Sequence, residues 1–285
     1  ADFALACNNA GLRFVGPSPE TLALFGDKAK ARRFAASHDI PVLSGTLEPT
    51  SLEQAGKFLK DLDGGTMILK AVAGGGGRGV RIVEDTKQLA SAFAQSSREA
   101  NAAFANDDLY VEEFLSNARH IEVQVLGDEH GKLIHLGERD CSLQRRHQKV
   151  IEIAPAPDLD SDLREKIIAA AVKLAAAADY SSAGTIEFLV DTSANRFVFI
   201  EANARLQVEH TISEEIYEVD LVEAQLRIAD GESIAELGLD QLTAKGFAIQ
   251  LRINMETMQA DGTTRPSGGM ISAFNPPSGP GIRLD

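Results

Sequence analysis

Cysteine is scarce in this sequence of 285 residues, which has only Cys7 and Cys141. Two are too few for a disulfide framework and point to a reducing compartment, the cytoplasm or, in a eukaryote, the mitochondrial matrix. Long hydrophobic runs are absent as well. No stretch approaches the roughly 20 apolar residues a membrane-spanning helix needs, so no membrane role is expected. Cations are outnumbered, with 28 Lys and Arg against 42 Asp and Glu, a net charge of −14. A nucleic-acid surface needs clustered Lys and Arg to neutralise phosphate, so nucleic acid is not an expected partner. A nucleotide substrate is not excluded, because a few placed cations can sit inside an acidic protein whose excess charge is solvated helix face.

What is present suits a globular chain: 44% hydrophobic and 25% charged residues, enough for one large domain or two modest ones. Both ends read as interrupted. Residues 1–12 look like the tail of a helix already under way, residues 13–15 like a lone strand, and Asp285 closely follows a Gly/Pro-rich turn. Ser18-Pro19-Glu20 predicts a helix start, with a capping side chain, proline at the first helical position and an acid in the first turn. Asp27 opens another helix to about Ser37, and Thr50-Ser51-Leu52-Glu53 supplies a capping box for one ending near Leu62. The run 67–72 reads as a buried strand that feeds the glycines 74–77, Arg78 and Gly79, with a return strand at 80–83. From 109 to 153 the pattern is mostly strand, and strict alternation over 119–125 puts His120, Glu122 and Gln124 on one face. Asp160 caps a helix over 161–178. Strands at 185–190 and 196–202, an amphipathic helix at 220–229 with Gly231 past its end, and a strand at 247–253 complete the order. The reading is α+β with antiparallel sheets rather than alternating βαβ, with no internal repeat.

Four consecutive glycines plus Gly79 let the backbone approach an anion, and the N–H groups of such a turn can cradle phosphate. A surface hairpin would have the same composition. A P-loop would end in Gly-Lys-Ser/Thr, whereas Gly77 is followed by Arg78-Gly79-Val80. A dinucleotide loop would open a helix, and a strand follows here. A lid over phosphates, with Lys70 beside it on the preceding strand, stays open. Glu187 and Glu201 are acids embedded in apolar strands, where an unpaired charge is costly. If their strands pair as a hairpin, the two acids face one another and can bind a hard cation such as Mg²⁺; a strand-end acid paired with arginine is the plainer alternative. In the stretch from Glu201 to His210, an extended backbone would set Glu201, Asn203 and Arg205 on one face. Gln144-Arg145-Arg146-His147-Gln148-Lys149 is a further dense polar run, close in sequence to the face of His120 and Glu122.

Glu138-Arg139-Asp140-Cys141-Ser142, the run Gln144 to Lys149, and Arg205-Leu206-Gln207-Val208-Glu209-His210 together resemble the signatures of biotin carboxylases. Phe14-Val15-Gly16-Pro17-Ser18, Gly26-Asp27-Lys28, the loop from Lys70 to Gly79, and Gln250-Leu251-Arg252-Ile253-Asn254 support the resemblance, and the set spans nearly the whole chain in the family's order. The resemblance implies an ATP-grasp fold, truncated at both ends. Residues 1–17 would be the tail of a Rossmann-like subdomain, 18–236 the ATP-grasp domain with its lid at about 45–113, and 237–285 part of a C-terminal subdomain. It further implies that Lys28, Lys70, Gly75, Gly76, Gly77, Glu112, Leu115, His120, Gln144, His147 and Leu189 contact ATP. Glu187, Glu201 and Asn203 would hold Mg²⁺ or Mn²⁺. Lys149, Arg205, Gln207 and Val208 would bind bicarbonate, with Glu209 as general base on it and Arg252 beside the biotin ureido group. Bicarbonate would attack the γ-phosphoryl group to give carboxyphosphate, and the carboxyl group would pass to biotin. The implied partners are a biotin carboxyl carrier, since no Met-Lys-Met attachment site occurs in this chain, and a carboxyltransferase part that decides among acyl-CoA, pyruvate and urea. Dimeric relatives make a homodimer the implied assembly. Tyr217-Glu218 stands where the family has Thr-Gly.

Two other readings share part of this pattern. Another ATP-grasp ligase, such as a carbamoyl-phosphate synthetase half, would share the lid lysine and metal acids but lacks the 205–210 motif. An inactive nucleotide-binding fragment is opposed by the presence of every catalytic side chain the reaction requires.

Overall fold

Capping side chains start most of the helices in the computed structural model, which describes residues 1–46, 48–62, 65–72, 79–145 and 148–285. Gly75, Gly76 and Gly77 of the expected lid loop, and His147, lie outside the described residues. After α1 (Asp2–Asn9), Ser18 caps α2 (Pro19–Phe25), whose first residue is the proline read from sequence. Asp27 caps α3 (Lys28–Ser37). For α4 (Leu52–Asp61) the capping box is formed by Ser51 and Gln54, one residue later than the Thr50–Glu53 pair expected. Residues 13–15 form no strand, because a strand is made by its partner's hydrogen bonds and none of the described segments supplies them.

A three-stranded antiparallel sheet, ordered β2-β1-β3, contains β1 (Thr66–Ala71), β2 (Arg81–Val83) and β3 (Leu109–Phe114). Met67, Leu69, Val83 and Val111 pack beneath Ala55 and Leu59 of α4 and Leu89 of α5 (Thr86–Phe104). Period-2 alternation then turns Lys70 of β1 and Glu112 of β3 to the uncovered face.

The larger sheet is six-stranded, in the order β8-β7-β4-β5-β6-β9. Its members are β4 (Arg119–Gly127), β5 (Leu133–Arg145), β6 (Gln148–Ala154), β7 (Ser182–Asp191), β8 (Arg196–Asn203) and β9 (Ala248–Leu251), all paired antiparallel. Ile121, Val123 and Val125 of β4 and Ile186 and Phe188 of β7 face α3 and α6 (Ser161–Ala177), which contributes Leu163, Ile167, Ala171 and Leu174. The opposite face carries α7 (His210–Tyr217) and α8 (Leu221–Ala229), the latter through Leu221, Ala224 and Ile228. Because β4 alternates, the face that gives Ile121 and Val123 to the core leaves His120, Glu122 and Gln124 on the other side.

One short segment joins the sheets. Val42 forms a parallel bridge to Phe199 of β8, and Gly45 an antiparallel bridge to Glu112 of β3. A Cβ at Gly45 would stand 2.5 Å from the Val111 carbonyl oxygen, so only glycine allows this approach.

The chain divides into two compact units, Ala1–Leu251 and Arg252–Asp285. The second holds a hairpin of β10 (Glu256–Met258) and β11 (Thr264–Pro266) and no buried residue. No helix among the described residues is long and apolar enough to cross a membrane.

Candidate active site

Neighbouring strands bring the expected acids together. Register pairs Glu122 of β4 with Glu187 of β7, and Glu187 with Glu201 of β8, so three carboxylates line up across the sheet. Such a row of like charges is tolerable only with cations and donors between its members. His120 Nε2 lies 2.6 Å from Glu187 Oε2, and its Nδ1 is 3.0 Å from Gln144 Nε2. Asn203 and Gln207 donate to Glu187 Oε1 at 2.7 and 2.9 Å. Lys28, first residue of α3, reaches Glu201 at 2.7 Å.

Lys149 of β6 is the centre of the arrangement. Its ammonium donates to Glu122, to Glu209 Oε1 at 2.6 Å and to Glu187 Oε1 at 3.2 Å, which uses all three of its donors. Burial alone would lower its pKa, but Glu122 and Glu187 outweigh burial and hold it well above the usual lysine range. The acids shift the opposite way. Burial would raise the Glu187 carboxyl, yet the hydrogen bond and charge of His120, with Lys149 and Gln207, hold it well below the usual carboxylate range. Glu209 is likewise pushed up by burial and brought below its ordinary value by Lys149. Both acids are therefore ionised at neutral pH. Cys141 nearby is raised by burial and stays a thiol. On the smaller sheet, buried Glu112 is gripped from both sides by Lys70 and Arg32.

A family profile described as the carbamoyl-phosphate synthase L chain, ATP binding domain, matches residues 27–237. The chain belongs to that family. Over its whole length it is 52% identical to pyruvate carboxylase 1 of Caenorhabditis elegans, of which it spans 24%. Among solved structures, the biotin carboxylase of Campylobacter jejuni superposes with a TM-score of 0.87 at 41% identity, over 98% of this chain and 61% of that one. The biotin carboxylase domain of Hydrogenobacter thermophilus 2-oxoglutarate carboxylase, a structure with MgADP, ADP and bicarbonate, gives 0.80 and 41% over 90% of this chain and 56% of that one. The fold is accordingly α+β and ATP-grasp, and the resemblance to biotin carboxylases drawn from the motifs holds.

Within this ATP-binding domain, most of the residues singled out converge, and some do not. Leu189 sits opposite His120 in the sheet, and Leu115 follows directly on β3. Gln207 is buried, while Val208 is 61% exposed and Arg205 is also exposed. The expected extended row from Glu201 to Arg205 ends early. β8 stops at Asn203, and the Arg205 N–H bonds the Asn203 carbonyl at 2.8 Å, so the chain turns and the Arg205 guanidinium reaches Asn203 Oδ1 at 3.4 Å instead of running on along the face. Glu209 is the residue before α7 but makes no side-chain cap, being engaged by Lys149. Arg252 opens the second unit.

The donor set Glu187, Glu201 and Asn203 fits a hard cation, since two facing carboxylates and an amide offer oxygen ligands only. In this structure the two carboxylates are balanced by Lys28, Lys149 and amide N–H groups. Gln207 Oε1, buried and without a hydrogen-bond partner among the described residues, offers a further acceptor at the same place. The tightest groupings of metal-type donors, His120–Glu122–Glu187 and Glu122–Cys141–Glu209, both centre on Glu122. Hydrogen bonds already cross-link them, the first through the His120–Glu187 contact and the second through Lys149 between Glu122 and Glu209. Sequence reading gave no role to Glu122, Arg32 or Arg139. The signal for Glu122 was its shared face with His120; for the two arginines only burial reveals them.

Proposed function

We propose that this chain is the ATP-grasp core of a biotin carboxylase, carrying out ATP-dependent carboxylation of biotin by bicarbonate as one half-reaction of a biotin-dependent carboxylase. The observation that supports this best is the Lys149 ammonium, held jointly by Glu122, Glu187 and Glu209. One cation thereby stands between an expected metal acid and the expected base, where an anion must be oriented against a phosphoryl group.

In this reading Lys28, Lys70, Glu112, Leu115, His120, Gln144 and Leu189 bind ATP, with the glycines 75–77 and His147 completing the nucleotide site. Glu187, Glu201 and Asn203 would hold Mg²⁺, or Mn²⁺, which on binding supplies charge neutralisation at the phosphates. Lys149, Arg205, Gln207 and Val208 orient bicarbonate, and the ionised Glu209 takes its proton as it attacks the γ-phosphoryl group. Positioning and electrostatics dominate such a step. The lid of about residues 45–113 excludes water from the labile carboxyphosphate. Arg252 is assigned to the carboxylation of biotin delivered by a carrier, and a carboxyltransferase part, a homodimeric assembly and a cytoplasmic or matrix location complete the proposal. The family's name is that of the carbamoyl-phosphate reading. The 205–210 motif and the similarity of this whole chain to 24% of a pyruvate carboxylase favour biotin carboxylation over it.

ATP hydrolysis measured with and without bicarbonate and free biotin, on the enzyme carrying this segment, tests the proposal. Dependence on both is expected; a rate indifferent to both would leave only a nucleotide-binding fold. Glu209→Gln is expected to abolish bicarbonate-dependent turnover and spare MgATP binding, because it removes the proton acceptor and touches no nucleotide contact. Unchanged turnover would refute the base assignment.

A further inference from the structure

We propose that Arg139 is a positioning residue for bicarbonate: buried behind the site, it holds one oxygen of Glu122 so that the other oxygen and Glu209 share Lys149. The proposal rests on the biotin carboxylase reading above. Arg139 belongs to the motif 138–142, which the reaction leaves without a role, and its side chain is wholly buried. Every nitrogen of its guanidinium is used. Nε donates to Glu122 Oε1 at 2.7 Å, Nη1 to Gln124 Oε1 at 2.7 Å and Ser213 Oγ at 2.9 Å, and Nη2 to Thr185 Oγ1 at 3.1 Å. One cation on β5 thus ties together β4, β7 and α7. A planar fork can serve acceptors in such different directions, whereas a lysine is a point charge.

The consequence runs through Glu122. Its carboxylate touches Arg139 with one oxygen and Lys149 with the other. Without the guanidinium, the ion pair left to this carboxylate among the described residues is Lys149 on Oε2, with the His120 ring nitrogen Nε2 3.9 Å from the same oxygen. A buried carboxylate deprived of one partner draws the remaining one toward itself. Lys149 would then leave Glu209, and cation and base would lose their mutual alignment. The contacts assigned to ATP at Lys28, Lys70 and Glu112 use none of these atoms, and His120, also assigned to ATP, is held at 2.6 Å by Glu187 rather than by Glu122.

The test compares KM for bicarbonate and for ATP in biotin-stimulated hydrolysis by the whole enzyme, as wild type, Arg139→Met, Glu122→Gln and the double variant. Arg139→Met should raise the bicarbonate KM roughly tenfold or more and leave the ATP KM within about twofold. The double variant should be no worse than the poorer single, because both act through one carboxylate. Equal rises in both KM values, additive losses, or an unchanged bicarbonate KM in folded Arg139→Met would each overturn the inference. Should that variant not accumulate as folded enzyme, Ser213→Ala with Thr185→Val keeps every charge and loosens the fork. It should raise the bicarbonate KM about threefold with the ATP KM unchanged; no rise there is equally decisive against it. A crystal structure of the folded variant supplies a readout independent of activity. Lys149 Nζ beyond hydrogen-bond distance of Glu209 supports the positioning role, and a retained bond refutes it. If the wild type itself ignores bicarbonate, the biotin carboxylase reading fails and that crystal structure alone decides the part played by Arg139.

Discussion

Asp27 accepts the backbone N–H groups of Ala29 and Lys30, each at 3.0 Å, and so caps the helix whose first residue is Lys28. The Lys30 hydrogen bond chiefly, with that of Ala29 and against the opposing effect of burial, holds its carboxyl below the ordinary value. Asp27→Ala should cost about 1 kcal/mol at pH 7 and Asp27→Asn much less, since asparagine also caps. A carboxyl with a depressed folded-state pKa gives its full contribution above its unfolded value, about 3.9, and loses it as pH falls through the folded one. The alanine penalty should therefore shrink between pH 7 and pH 3 in urea unfolding; an equal penalty at both would contradict an ionised cap. This cap was legible in the sequence, because it depends on neighbours two and three residues away. Arg139 was not, because its acceptors sit on β4, β7 and α7, and only the pairing register brings them within reach. Arg32 is similar. Lys28, Lys30, Arg32 and Arg33 all lie on the helix that Asp27 opens, and only docking against β3 decides which cation turns inward to Glu112.

Among the elements, capped helices and alternating or apolar strands were both legible, whereas residues 13–15 form no strand and the hairpin of β10 and β11 was not expected, since pairing depends on partners that local pattern does not show. Residues 84–108 were left unassigned, although Thr86–Phe104 form the longest helix among the described residues. Its buried face of Leu89, Ser96 and Ala100 carries little apolar contrast, so the period of a helix scarcely shows. The ends of α5 and α7 share one device. Ala105 (φ 54, ψ 28) and Glu218 (φ 54, ψ 47) both occupy the left-handed region just past a helix. A residue with a Cβ is strained there by roughly 1–2 kcal/mol. Ala105→Gly releases that strain, and after the extra freedom glycine gains when unfolded it should stabilise by about 0.5–1 kcal/mol. Glu218→Gly relieves the same strain but also removes the exposed 2.5 Å pair with Lys245, worth at most about 1 kcal/mol. Its net effect should lie within about 0.5 kcal/mol of zero. Thermal unfolding of both variants checks the contrast; a large gain at Glu218 would mean that the ion pair contributes nothing.

At the scale of the whole molecule, the charge of −14 said nothing about the site, whose chemistry rests on a few cations inside a row of acids. The distribution of buried surface says more about what can stand alone. All the hydrophobic clusters formed by described residues lie within Ala1–Leu251, and Arg252–Asp285 contributes no buried residue. Burial is the main favourable contribution to folding, so a chain ended after Leu251 should melt within about 3 °C of the longer one. It also keeps every residue assigned to ATP and metal. MgATP at about 100 times its Kd stabilises a folded protein by about 2.7 kcal/mol, which at roughly 2–4 °C per kcal/mol is a rise of about 5–11 °C. The shortened chain should show that rise, and Glu187→Gln should remove most of it by taking away a metal ligand. Biotin should no longer stimulate hydrolysis, because Arg252 is gone. Loss of the nucleotide shift on shortening, with Glu187 intact, would instead mean that nucleotide binding depends on residues beyond Leu251, and the assignment of the ATP site to the first unit alone would fall.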